Sequence, residues 1–238
     1  MFHSVIDNMQ KGWIFADNTE SPGTVLFWHY IGHAVITGEI IGGDVDEDLR
    51  SFLLGNYGSG QGRLTLFAGN SDWDNKILSL IKKFSLDIKT GNMLKFQFNK
   101  SLFFPKNYPI PLGYTLKEID KTIFSEIKGP IAPSVSWHSP EAFLRHGKGY
   151  CLMDGTNVAC NTFISSIGNK QIDIGIATDE KYRGKGLGTI AAAVMISYIL
   201  DKGYEPVWIT STDNTGSMNI ARKLGFEIVG SNPFYSVE

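Results

Sequence analysis

The stretch QIDIGIATDEKYRGKGLGT, Gln171–Thr189, decides how the rest of the chain is read. Its opening, Gln171–Thr178, alternates isoleucine with small and polar residues and reads as a strand. A short acidic turn follows, and then Arg183-Gly-Lys-Gly-Leu-Gly188 opens a helix. Glycines at alternate positions let the backbone fold tightly and point successive N–H groups at one place. The start of the next helix adds unsatisfied donors and the positive end of its dipole. Lys181, Arg183 and Lys185 surround that nest with fixed charge. The combination suits a pyrophosphate. It is not a Walker loop, because no lysine stands between Gly188 and Thr189. Nor is it the dinucleotide fingerprint, which spaces its glycines differently and follows the first strand of a βαβ unit.

Outward from this segment the pattern is regular. Thr189–Leu200 is apolar nearly all round and too short to cross a bilayer, which predicts a buried helix ending near Lys202-Gly203. Val207–Ser211 reads as a strand, Asn214–Leu224 as a helix from a capping residue to Gly225, and Phe226–Val229 begins a last strand. Upstream lie a strand at Gly113–Ile119, a helix at Lys121–Lys128, a helix capped by Ser139 with Pro140 in its first turn, and strands at Gly149–Met153 and Val158–Ile164. Pro105, Pro109 and Pro111 make Lys100–Leu112 neither helix nor central strand, so the expected module boundary falls there, giving modules 1–109 and 110–238. The first module has the same rhythm: strands at Gly12–Ala16, Thr24–Tyr30 and Ala34–Ile40, a helix at Val45–Leu54, a strand at Leu64–Ala68, a helix at Trp73–Phe84 and a strand at Met93–Asn99. Two readings stay open, a tandem of related folds or a chance likeness of two α/β modules.

Arg183, Gly186 and Gly188 match R/Q-x-x-G-x-G/A, and Asn214-Thr-Gly-Ser217 leading into Ile220-Ala-Arg-Lys-Leu-Gly-Phe226 resembles N-x-x-A/S-x-x-L-Y-x-K-x-G-F. These are the two signatures of the GNAT superfamily, the acyl-CoA-dependent N-acyltransferases, in the right order. The region of about Leu112–Glu238 is thereby identified as similar to that superfamily, and IDIGIATDEKYRGKGLGT most resembles a bacterial subgroup that includes the zwittermicin A resistance acetyltransferase. The resemblance implies an α/β (α+β) fold with a mixed, mostly antiparallel, splayed sheet flanked by helices. The first module is then expected to be a smaller α/β unit, a degenerate GNAT-like repeat in the tandem reading.

The resemblance also implies roles. Backbone groups of Ile176, Ala177 and Thr178 would bond the pantetheine arm of acetyl-CoA, and one N–H of that strand would serve the oxyanion. The amides of Arg183, Gly184, Lys185, Gly186, Leu187, Gly188 and Thr189 would hold the pyrophosphate, and Asn214 and Ser217 would line the thiol end. A neutral amine attacks the thioester directly, so the protein must orient two substrates, take a proton from the ammonium and return one to the thiolate. Ala221 stands where many members carry the tyrosine that protonates the thiolate; Tyr235 is the expected substitute and Asp173 the expected base.

Composition sets the outer limits. The 238 residues are 42% hydrophobic and 19% charged, with a net charge of −2, an ordinary globular chain without the positive bias of a nucleic-acid binder. Cys151 and Cys160 are too few for a disulfide scaffold and suit a reducing cytosol, and MFHSVIDNMQKGW does not read as a signal peptide, so a cytoplasmic protein without a membrane partner is expected. No metal site is expected: His29 and His33 lack enough ligand-type neighbours. Cys160 reads as a small buried hydrophobe, Trp137-His138 as a loop anchor, and Gly55–Gly62 as a turn. The acidic Ile41–Glu47 segment would repel a pyrophosphate, leaving CoA to the second module. The sequence thus points to an N-acetyltransferase for a small-molecule amine, its first module forming an acceptor-site wall or a homodimer contact. The rival reading is a non-catalytic acyl-CoA-binding sensor or scaffold.

Overall fold

The computed structural model describes residues 1–41, 44–54 and 64–237; the expected turn at residues 55–62 and positions 42–43 of the acidic segment lie outside them. The chain forms two compact units. The first comprises Phe2, Lys11–Met93 and Ser231–Glu238, the second Met1, His3–Gln10 and Leu94–Gly230.

A single turn of helix, α1 (Phe2–Ile6), opens the chain. In the first unit β1 (Gly12–Ala16), β2 (Thr24–His29) and β3 (His33–Gly38) form an antiparallel meander. After α2 (Val45–Leu53), β4 (Leu64–Ala68) returns parallel to β3 and stays paired with it from His33–Thr65 to Ile36–Ala68. The helix α3 (Ser71–Phe84) begins where the Asn70 side chain accepts the Trp73 N–H and ends where Ser85 turns left-handed at φ 50°. Its Trp73, Ile77 and Leu80 recur at helical spacing and are buried with Leu53, Leu66 and Tyr235, which is why this stretch is helical and which face it buries. The strand β5 (Lys89–Phe98) then runs on from the first unit into the second.

The second unit carries β6 (Tyr114–Glu118), α4 (Lys121–Glu126), α5 (Pro133–Ser136), α6 (Pro140–His146), β7 (Gly149–Asp154), β8 (Asn157–Gly168) and β9 (Gln171–Thr178). There follow α7 (Leu187–Asp201), β10 (Glu205–Val207), β11 (Ile209–Ser211), α8 (Thr215–Lys223) and β12 (Phe226–Val237). Asp120 and Ser139 cap α4 and α6 as N-cap residues should. Strands β6 to β9 are antiparallel in sequence and β10 adds parallel to β9. The helix α7, buried along most of its length, packs on β7, β8 and β9. The architecture is mixed α/β with mostly antiparallel sheets, as expected.

Two features depart from the sequence expectation. The Pro-rich stretch is not the border: it lies inside the second unit and holds two short 3₁₀ turns, Lys100–Leu102 and Pro105–Asn107, with Phe103 buried and the Tyr108 hydroxyl donating to the Lys223 carbonyl at 2.8 Å. The units instead divide at Met93–Leu94, within β5. The last strand also runs past Val229, and its end pairs with β4 of the first unit, Tyr235 opposite Leu66. From β7 on, the second unit nevertheless repeats the order of the first: an antiparallel three-strand meander, a helix, a parallel strand and, after β11 in the second unit, a helix.

Candidate active site

In the second unit β9 is paired with β8 along its whole length, Gly168–Gln171 to Cys160–Thr178. On its other edge β10 pairs only Gln171, Ile172 and Asp173, the last opposite Val207. At Trp208 the chain leaves β9: the Phe96 N–H of β5 donates to the Trp208 carbonyl, and β11 continues beside β5. The edge of β9 beyond Asp173 is therefore open. The bond from Asp179 N–H to the Ala159 carbonyl fixes the alternation of this ladder. Backbone groups of Ile176 and Thr178 face the opening, whereas those of Ala177 turn toward β8. Ala177, expected to bond the pantetheine, is thus not presented by its backbone.

The loop after β9 is held at one point. Tyr182 is buried and donates its hydroxyl to Asp154 at 2.9 Å, and the Lys181 and Lys185 ammonium groups lie 5.0 and 5.1 Å from its ring centre. Gly184 and Gly186 take φ of 77° and 76°, a left-handed conformation that side-chain-bearing residues rarely adopt, with open space where a Cβ would stand. Gly186 is the N-cap of α7 and offers no side-chain cap, so the N–H groups of Leu187 and Gly188 have no partner among the described residues. Thr189 N–H is already bonded to the Gly186 carbonyl. Lys181, Arg183 and Lys185 are free of ion pairs among the described residues. A Cβ on Gly188 would stand 3.0 Å from Ile220 and 3.3 Å from Thr178 Oγ1, which shows how closely the start of α7 is set against β9 and α8.

Asn214 caps α8, its Oδ1 accepting the Ser217 N–H at 3.0 Å, and the Trp208 indole N–H donates to Ser217 Oγ at 3.0 Å. Asp173 is half-buried at the last residue pair before the strands part. Burial pushes its carboxyl up to about 6, opposed by the Met1 α-ammonium and by hydrogen bonds from the Ser165 hydroxyl and the Ile174 N–H. Ser165 and Ser136 are in turn fixed by Gln10, whose Nε2 donates to both carbonyls.

A family model described as GNAT acetyltransferase matches residues 1–235. The chain belongs to the GNAT acetyltransferase family. The match takes in the first module, which the two signatures alone do not reach. This GNAT acetyltransferase is 26% identical over 238 residues to the uncharacterized N-acetyltransferase YdfB of Bacillus subtilis (strain 168), covering 98% of this chain and 88% of that protein. Its fold is that of a GCN5-related N-acetyltransferase-like protein from Streptococcus suis, with a TM-score of 0.74 at 21% identity over 94% of this chain and 87% of the other. A tandem GNAT protein from the clavulanic acid biosynthesis pathway gives 0.57 at 15% identity over 90% and 78%.

Members of the family transfer acetyl groups from acetyl-CoA, and the donor set fits that co-substrate: two unpartnered amides at a helix start, an open left-handed glycine turn and three unpaired cations beside a strand edge. Tyr235, the expected proton donor, is placed elsewhere. It lies in the core of the first unit, 1% exposed, with its hydroxyl donating to Asp74, and burial together with that carboxylate holds its pKa far above the ordinary range. Trp208 is the residue that sequence reading missed, because nothing local in Val207–Ser211 marks where a strand changes sheets.

The remaining features are structural. Cys160 is buried and accepts from the Thr178 hydroxyl at 3.3 Å; burial pushes its thiol up to about 11 and that of Cys151 up to about 12. The Trp137 indole donates to the Ile164 carbonyl at 2.7 Å. Buried His29, pushed down to about 3, is neutral and accepts the Ile31 N–H. Among the described residues no group of metal-ligating side chains is gathered, and no helix is long and apolar enough to cross a membrane.

Proposed function

We propose that this acetyltransferase acylates the primary amine of a small or amino-acid-like molecule, both substrates being bound together and the amine attacking directly. The observation that carries the reading is the parting of β9 from β10 after the Asp173–Val207 pair, next to the uncapped start of α7. Bound acetyl-CoA supplies the activated acetyl thioester. The amides of Leu187 and Gly188, with Arg183, Lys185 and Lys181, hold its diphosphate, and Gly184 and Gly186 shape the turn that lets them converge. Ile176 and Thr178 bind the pantetheine arm, and the Ile176 N–H donates to the thioester carbonyl oxygen. Asp173 takes the proton that the ammonium must lose before it attacks. The Ser217 hydroxyl, whose oxygen is held by the Trp208 indole, donates to the sulfur as the carbon–sulfur bond breaks. It lies one helical turn before Ala221, on the same face of α8.

The first unit is a degenerate copy in this reading. It repeats the pairing order, but β3 and β4 remain joined to Ile36–Ala68, and α2 starts among Asp44, Asp46, Glu47 and Asp48 where α7 starts among cations. Acetyl-CoA therefore binds the second unit. Both cysteines are free and buried, in keeping with a reducing cytoplasm.

Calorimetric titration with acetyl-CoA, on the wild type and on Gly186→Glu, followed by thiol release with a panel of amines, tests the reading. Micromolar binding lost in the variant, with thiol released by an amine, supports it. Binding without turnover would favour a sensor or scaffold, the reading suggested by buried Ala221 in place of a tyrosine. No binding to the wild type would remove both.

A further inference from the structure

The first unit has a cleft of its own, of about 320 Å³, lined by residues of β1–β3, of the helix α2 and by Trp73 of α3. Its size is at the lower end of small-ligand sites. The lining is largely apolar, with Leu26, Leu49, Phe52 and Trp73 among its walls, and among the described residues its ionisable side chains are the carboxylates of Asp17 and Asp48. Among the described residues no lysine, arginine or histidine lines it.

The acids nearby are not equivalent. Asp46 is bound by Lys76 and by Lys83, and Glu47 by Arg50, so their charge is already met. The side chain of Asp48, one residue further along α2, has no hydrogen-bond or ionic partner among the described residues. Asp17 uses Oδ1 to accept the N–H groups of Gly23 and Thr24, at 3.0 and 2.8 Å; those bonds hold its carboxyl below the usual range and keep it ionised. Its Oδ2 takes no such bond. An apolar cleft whose unmet charge is all negative repels acyl-CoA and other anions. It favours a cation that carries its own apolar body, because carboxylates offset the cost of taking an ammonium partly out of water.

We infer that this cleft is a binding site for a hydrophobic organic amine, its alkyl or aryl part against Phe15, Leu26, Leu49 and Phe52 and its ammonium at Asp48 and Asp17. The inference is independent of which amine the second unit acetylates. Calorimetric titrations of the full chain with octylamine, octanol and octanoate test it, with the wild type, Asp48→Asn and Leu49→Trp. Octylamine is expected to bind saturably and octanoate not at all, with octanol weaker than the amine. Asp48→Asn, at an exposed position whose side chain has no hydrogen bond or ion pair among the described residues, is expected to weaken octylamine at least fivefold, and Leu49→Trp, which fills the cleft, to abolish it. Equal binding of octanoate and octylamine, absence of octylamine binding, or unchanged octylamine affinity in Asp48→Asn would each overturn the inference. Failure of Leu49→Trp to fold leaves Asp48→Asn to decide. Loss of acetyl-CoA binding in Gly186→Glu with octylamine binding intact would separate this cleft from the second unit's site.

Discussion

The indole N–H of Trp208 donates to Ser217 Oγ at 3.0 Å, linking the residue at which β10 gives way to β11 with the first turn of α8. Trp208 is 2% exposed and packs against Phe226, so it is a fixed donor. With its oxygen engaged as an acceptor, the Ser217 hydroxyl has its own hydrogen left to give. Ser217→Ala is expected to lower kcat about tenfold to a hundredfold while the KM for acetyl-CoA changes little, because the loss falls on the leaving sulfur and not on the diphosphate. Trp208→Phe, which keeps the ring and removes the donor, should lower kcat in the same direction by less. Steady-state kinetics with thiol detection reads both, and an unchanged kcat in Ser217→Ala would remove this hydroxyl from the reaction.

Tyr235 has a different task. Its ring is part of the first unit's core, opposite Leu66 on β4, and its hydroxyl ties that strand to Asp74 on α3. Tyr235→Phe leaves the apolar packing intact and removes one buried hydrogen bond to a carboxylate, at a cost of about 1–2 kcal/mol. The expected result is a Tm lower by several degrees in a thermal melt with kcat and its pH profile unchanged. A rate loss without a change in Tm would return Tyr235 to the role of proton donor.

The glycine turn should respond to conformation and to charge separately. Gly186 needs φ of 76°, and the space at its Cβ is open, so Gly186→Asn meets mainly backbone strain, which asparagine bears better than most residues. Gly186→Glu adds the same kind of strain and a negative charge at the start of α7. Calorimetry is expected to show a modest loss of acetyl-CoA affinity for asparagine and a loss of about a hundredfold or more for glutamate, at similar Tm. Equal effects would mean that the diphosphate is held elsewhere.

Much of this was legible from local signals. Elements of the first unit such as β1, β4 and the start of α2 fall where hydrophobic pattern and turn residues put them, and the helix expected to open from Arg183–Gly188 into the apolar run Thr189–Leu200 is α7, which begins at Leu187. What was not legible is tertiary. Val207–Ser211 reads as one strand because its residues suit a strand throughout; that Val207 pairs with β9 while the next segment joins another sheet depends on partners distant in sequence. Likewise Ser231–Val237 carries no local mark of the sheet it joins, so the destination of Tyr235 could not be read from its distance to the signatures. The Pro-rich stretch looked like a linker because prolines exclude helix and central strand, yet turns can pack, and Tyr108 anchors this one to Lys223.

Asp173 gives the pH dependence its sign. Its folded carboxyl titrates at about 6 against an ordinary 3.8, because burial disfavours the charge more than the Ser165 hydroxyl, the Ile174 N–H and the Met1 α-ammonium favour it. The folded chain therefore binds this proton more tightly than the unfolded chain does. The stabilisation is fully present below about pH 4 and is lost as pH rises through about 6. Asp173→Asn, which stays neutral, should melt higher than the wild type at about pH 8 and level with it near about pH 4. If Asp173 is the proton acceptor, as proposed, the wild-type rate with saturating substrates should fall as pH drops through about 6, and Asp173→Asn should lose both that inflection and most of its rate. Differential scanning calorimetry across the pH range reads the first effect and a kcat–pH profile the second. A higher Tm in Asp173→Asn with an undiminished kcat would leave Asp173 as a strained carboxylate at the fork of the strands and place the base elsewhere.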